Sequence, residues 1–183
     1  MKKLLIVVAV IAVLVMAVFG SYNSLVASNE NVTSKWSQVE NQLQRRSDLI
    51  PNLVNTVKGY AKHESDVFTN VANARAKLAG ASTVADKAAA NGELSSALSR
   101  LLAISENYPE LKANANFAQL QDELAGTENR LAVARKDYND AAQSFNTKIK
   151  SFPTMLYAGA FGFTAKDYFK ADEGAKTAPK VNF

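Results

Sequence analysis

The sequence predicts an all-α protein: an N-terminal transmembrane helix, a long antiparallel four-helix bundle, then an aromatic-rich C-terminal segment. Three observations carry that prediction. Leu4 to Phe19 is an unbroken run of sixteen apolar residues behind Lys2 and Lys3. From Leu25 to Phe152, apolar residues recur at steps of three and four, the spacing of helices that each bury one face. Only 8 Gly and 4 Pro occur in 183 residues, a composition that suits helices and argues against a β-rich fold.

Residues 1–22, "MKKLLIVVAVIAVLVMAVFGSY", come first. The apolar run together with Gly20, Ser21 and Tyr22 approaches the ~20 residues that cross a bilayer core as a helix. The competing reading is a cleaved signal peptide. A cut after Gly20 would put Val18 at the other key position, and no A-x-A motif precedes the rest of the chain, so an uncleaved anchor in the bilayer through residues 4–22 is expected. Lys2 and Lys3 flank the run on one side, whereas the fifteen residues after Tyr22 hold one cation, Lys35, beside Glu30. That asymmetry predicts a single-pass protein of the inner (cytoplasmic) membrane, with a cytoplasmic N-terminus and the bundle on the outer side.

The first seam runs Leu25, Val32, Trp36, Val39, Leu43, then Ile50, Leu53, Val57, Tyr60, Val67, Val71, Ala74, Leu78. Pro51 interrupts it. Inside a helix, proline removes one hydrogen bond and crowds the carbonyl four residues back, at a cost of about 3 kcal/mol. Ser47 or Asp48 can cap a new helix with Pro51 in or near its first turn. Four helices follow, near 22–46, 49–79, 83–107 and 116–151. The three-four phase does pass through Pro51 without resetting, so one kinked helix as far as residue 79 is the alternative. Ser82 or Thr83 can cap the third helix, with Asp86 three residues after Thr83 completing a capping-box pattern, and Pro109 ends that helix at "NYPELKANAN". The last helix has the clearest period: Phe117, Leu120, Leu124, Leu131, Ala134, Tyr138, Ala141, Phe145, Ile149, Phe152.

Several chemistries are disfavoured. The net charge of +4, from 21 basic and 17 acidic side chains, is scattered along the chain, so no nucleic-acid partner is expected. With no cysteine, neither a disulfide nor a Cys-ligated metal can form. The one histidine, His63, precedes Glu64, but a zinc hydrolase needs a second His where Val67 stands, and a di-iron bundle needs Glu where Tyr60 stands. No phosphate-cradling glycine loop and no nucleophile elbow occur. No metal, no cofactor and no enzymatic activity are expected.

The candidate structural or interaction residues are Trp36, Glu40, Arg45, Arg46, Asp48, Pro51, Asn52, Glu106, Glu128, Arg130 and Arg135. Such groups either fix helix register through salt bridges and caps, or line a charged groove for a peptide, a lipid headgroup or a subunit. Arg46 stands out because it puts a permanent charge at a seam position, where it needs a carboxylate such as Glu128 or Glu106. Residues 152–169 hold six of the sixteen aromatics, with Phe161, Phe163, Tyr168 and Phe169 the further candidates. They fold back on the bundle, meet a neighbouring protomer or touch lipid. Gly159 and Gly162 disfavour one long amphipathic helix there. Residues 170–183 read as a flexible tail.

"WSQVENQLQRRSDLIPNLVNTVKGYAKHE" (Trp36 to Glu64) closely resembles the signature of the bacterial LemA family, and "SENYPELKANANFAQLQDELAGTENRLAVARKDYN", "FNTKIKSFP" and "GF…YF" agree in order, so the likeness covers Tyr22 to Phe169. The resemblance implies one N-terminal membrane helix carrying an antiparallel bundle, bromodomain-like or LemA-like, in a family without an established catalytic activity. It also implies association with membranes and, in specialised lineages, with membrane-bounded compartments. For some members it implies a cytoplasmic bundle, against the flanking-charge reading. The expected organisation is therefore an anchor at 1–22, a bundle at 23–151, the aromatic segment at 152–169 and the tail at 170–183. The expected role is a non-enzymatic interaction or assembly module. It would self-associate as a homo-oligomer, or meet an unidentified membrane or envelope protein. A sensor domain binding a small ligand or peptide between its helices is the alternative.

Overall fold

The computed structural model describes residues 2–170, apart from the side chains of residues 7, 10, 11, 13–15 and 17. Its long elements are α1 (Lys2–Tyr60), α2 (Ser65–Gly80), α3 (Val84–Ile104) and α5 (Ala115–Lys150). A short α4 (Pro109–Lys112) and 3-10 turns at Ser105–Asn107 and Thr154–Leu156 complete the set, and no strand occurs among the described residues. The fold is all-α. The tail expected at 170–183 lies, from residue 171, outside the described residues.

Two expectations are corrected in α1. The helix does not end near residue 46; it continues through Pro51 to Tyr60, and the break falls at residues 61–64. Continuing is favourable because Ile50, Leu53 and Val57 around the proline are 0–2% exposed. Burying side chains of this size contributes roughly 1.5–3 kcal/mol each, enough to outweigh one lost helical bond. The alternative of one helix to residue 79 is corrected as well, since α2 restarts at Ser65, with Val67 and Phe68 donating back to the Glu64 carbonyl. Residues 2–22 form the first part of α1. Among the described residues, no helix is long and apolar enough to cross a membrane. What the structure describes there is a helical stretch whose Leu4, Leu5, Ile6, Val8, Met16 and Phe19 are exposed.

Compactness divides the chain into two units. The first joins Met1–Gln38 to Lys136–Asp167. Within it α1 and α5 run antiparallel: Lys35 Nζ meets Asp137 Oδ2 at 3.0 Å, and further along Lys148 Nζ reaches Ser24 Oγ at 3.4 Å. Leu25, Val32, Tyr138, Ala142, Phe145 and Ala158 form its core. Asn146 then clips the returning chain, its Nδ2 donating to the Lys166 carbonyl at 2.9 Å and its Oδ1 accepting from the Lys166 N–H at 2.7 Å.

The second unit joins Val39–Arg135 to Tyr168–Phe183. It brings together the later part of α1, α2, α3 and the earlier part of α5 around Leu43, Leu53, Val71, Leu94, Leu101, Phe117 and Leu131, all buried. α1 is antiparallel to α2, through Ser47–Arg75 and Lys58–Phe68, and to α5, through Arg46–Glu128 and Tyr60–Asn114, and parallel to α3, through Glu40–Lys87 and Arg46–Asn91. Thr83 caps α3 by accepting from Asp86 N–H at 3.0 Å, the contact its spacing predicts. Asn114 caps α5 by accepting from Phe117 N–H at 3.0 Å.

Candidate functional site

The polar residues singled out from sequence are dispersed, and only some of them meet. The centre is Arg46, a seam residue on α1 whose side chain is 7% exposed. Its Nη1 donates to Asn91 Oδ1 on α3 at 2.7 Å and lies 2.8 Å from Glu128 Oε2 on α5. Neither Glu128 Oε2 nor Arg46 Nε makes a hydrogen bond, so the contact with Glu128 is one of charge. Burial pulls the guanidinium below its ordinary value; Glu128 opposes that pull and Arg135 adds to it. The result is a cation on α1 held against α3 and α5 at once.

One position away, Ser47 solves the problem that Pro51 creates. A residue at 51 would ordinarily donate to the Ser47 carbonyl, and proline has no N–H. Arg75 on α2 supplies the donor: its Nε lies 3.0 Å from Ser47 O and 3.1 Å from Ser47 Oγ. Glu40 on α1 takes Lys87 of α3 at 2.6 Å. Together these contacts tie α1 to each of its three neighbours through side chains within residues 40–47.

Other candidates lie elsewhere. Arg45, Asp48 and Asn52 are exposed, with Asp48 accepting from Gln44 Nε2 at 2.8 Å one turn back. Glu106 pairs with Lys112 at 2.7 Å and so is not the carboxylate opposite Arg46. Arg130 is exposed and reaches Thr127 Oγ1 at 3.4 Å. Arg135 stacks over the buried Phe169 ring, 4.6 Å from its centroid. Trp36 is half-buried against Tyr138, with ring centroids 5.0 Å apart. Tyr138 donates to the Asp167 carbonyl at 2.7 Å, and burial, with the Asp167 charge second, pushes its phenol above the usual range.

The aromatic segment divides in two. Phe163 packs on Tyr22 and Phe145, with centroids at 5.8 and 6.2 Å, and Phe169 is buried. Phe152, Phe161 and Tyr168 stay exposed. Folding back therefore accounts for only part of it.

Sequence reasoning left Asn91, Ser47 and Lys87 out of this set. Pro51 held a signal, because the carbonyl four residues before a helical proline needs another donor. It could not say which helix supplies one.

Residues 35–183 match the LemA family, which includes every residue of this network. The chain belongs to the LemA family. It is also 30% identical over 198 residues to the magnetosome protein MamQ 2 of Paramagnetospirillum magneticum, covering 93% of this chain and 71% of that one. The magnetosome protein MamQ of Magnetospirillum gryphiswaldense is 29% identical over 175 residues, covering 81% and 64%. Protein LemA of Metamycoplasma hominis is 25% identical over 157 residues, covering 84% and 71%. In this LemA-family chain the network is a set of permanent charges and amides. Among the described residues, no group of three or more His, Cys, Asp or Glu is placed to hold a metal ion.

Proposed function

We propose that this chain is a non-enzymatic, single-pass protein of the inner membrane whose helical bundle is an interaction and assembly module, self-associating at the membrane. The observation that carries the membrane half is the exposure of Leu4, Leu5, Ile6 and Phe19, at 63–69%, on the first turns of α1. A helix apolar all round, as Leu4–Phe19 is, belongs in a hydrocarbon environment rather than in water. In this reading the run is the anchor, the N-terminus is cytoplasmic and the bundle faces outward. Two relatives are named as magnetosome proteins, which supports a membrane-associated role for this one.

The assembly half is supported by the chemistry of the second unit. Arg46 with Glu128 joins α1 to α5, and Glu40 with Lys87 joins α1 to α3. Anchoring long helices side by side raises their effective concentration for lateral pairing. The ligand-sensor alternative has less support, because the concavities seen among the described residues are open grooves. One of about 700 Å³ runs between α2 and α3 and is lined by Asn70, Lys77, Glu93 and Arg100 among others.

The test is fractionation of cells expressing the full chain, followed by native mass spectrometry in detergent. The reading expects the chain in carbonate-washed membranes and in oligomers that persist on dilution. Release by carbonate would overturn the anchor, and a monomer at every concentration would overturn self-association.

A further inference from the structure

Apart from the N-terminal run, the densest exposed apolar surface among the described residues lies just beyond α5: Phe152 at 78%, Met155 at 58%, Leu156 at 73% and Phe161 at 56%. This stretch is held in place. Thr154 is buried and its Oγ1 lies 3.3 Å from Ser21 Oγ, Ala158 is buried, and the Phe161 ring packs edge-on to Tyr22 with centroids 5.2 Å apart. The exposed side chains are therefore presented by a fixed scaffold.

Their anchor points decide what they meet. Ser21 and Tyr22 follow the apolar run that ends at Phe19, with only Gly20 between. The charge is one-sided as well. Lys148 and Lys150 close α5, and neither residues 1–29 nor residues 141–166 include an Asp or Glu. Apolar and aromatic side chains beside an apolar helix end, flanked by lysines, have the chemistry of a headgroup-level contact with anionic lipid. A second copy meeting this face symmetrically would set its lysines against the same lysines.

We propose that residues 152–161 form a second lipid contact, dipping into the headgroup region of an anionic bilayer beside the N-terminal run. This inference rests on the reading that Leu4–Phe19 enters the bilayer. It adds that the far end of α5 is held at the same surface, so the chain is fastened to the membrane at two points.

The chain has no cysteine, so single labels report cleanly. Leu156→Cys, Phe152→Cys, Val8→Cys and Val133→Cys would each carry a polarity-sensitive fluorophore on the full chain. Each would be reconstituted into phosphatidylcholine–phosphatidylglycerol vesicles with and without lipid-borne quenchers. Labels at 152, 156 and 8 should shift to the blue and lose emission to the quenched lipid; the label at 133, exposed on the second unit, should do neither. If 8 is quenched while 152 and 156 behave like 133, the second contact is overturned and the anchor stands. If none is quenched, the anchor reading itself fails and this inference with it. A blue shift at 156 that grows with protein density and ignores the lipid quencher would assign the surface to a second copy. Equal quenching in phosphatidylcholine alone would overturn the anionic preference.

Discussion

Arg75 Nε lies 3.0 Å from the Ser47 carbonyl, the acceptor that Pro51 deprives of its helical donor. A proline in mid-helix and an arginine on the next helix are thus one structural device. Removing the arginine leaves a partly buried carbonyl unsatisfied, at a cost of about 1–3 kcal/mol. Arg75→Met should therefore destabilise the chain by that amount in denaturant titrations. Adding Pro51→Ala restores the helical N–H and should recover much of the loss. Strictly additive effects of the two substitutions would sink this account.

The Arg46–Glu128 pair should respond asymmetrically. The Arg46 side chain is 7% exposed and that of Glu128 is 41% exposed. Loss of Glu128 strands a buried cation, whereas loss of Arg46 leaves a carboxylate that water already reaches. Breaking a fully buried pair costs about 3–5 kcal/mol, and the partial exposure of Glu128 lowers that figure. Glu128→Gln is expected to lower the melting temperature more than Arg46→Met. Arg46→Ala, which also empties volume, should lower it more than a neutral surface substitution does. Equal shifts for Glu128→Gln and Arg46→Met would contradict the burial argument.

Tyr138 gives a pH dependence with a definite sign. Its phenol is pushed up in the folded chain by burial and then by Asp167, so the unfolded phenol ionises first, near its usual value of about 10. The stabilisation is whole below that pH and is lost as pH rises toward the folded value. Melting temperatures recorded from pH 8 to pH 11 should fall at the alkaline end. Tyr138→Phe should flatten that fall while costing about 0.5–1.5 kcal/mol at neutral pH through the lost bond to the Asp167 carbonyl. An unchanged alkaline slope in the variant would exclude Tyr138 as its source.

Asn114 serves two elements, and its two side-chain atoms can be separated. Oδ1 caps α5 at Phe117 N–H, and Nδ2 donates to Tyr60 Oη at 2.9 Å. Asn114→Ala should cost about 1 kcal/mol or more, as loss of an N-cap does. Asn114→Asp keeps the cap and loses only the donor, so it should lie between wild type and Ala in unfolding midpoint. A value for Asp at or below that for Ala would show that the contact with Tyr60 dominates.

Much of the fold was legible because it rests on periodicity. Leu25, Val32, Val39, Leu43, Phe117 and Leu131 are seam positions by their spacing, and all are buried. The Thr83 cap was visible because its partner lies three residues away. Arg46 was visible because a charge interrupts an apolar repeat. The course of α1 was not legible at Pro51, since the compensating donor comes from Arg75, on another helix. Tyr60 and Phe152 fit the repeat yet are 37% and 78% exposed, because periodicity says where a face points and not whether another element covers it. The break at residues 61–64 had no proline to mark it.

The first unit carries one more implication. α1 has no joint between Lys2 and Gln38, and Ser24, Lys35 and Trp36 fasten it along that length to Lys148, Asp137 and Tyr138 of α5. A thinner or thicker bilayer would change the tilt of an apolar helix embedded in it. If Leu4–Phe19 is embedded as proposed, residues 136–150 of α5 would lean with it, and membrane thickness would become a mechanical input to the first unit.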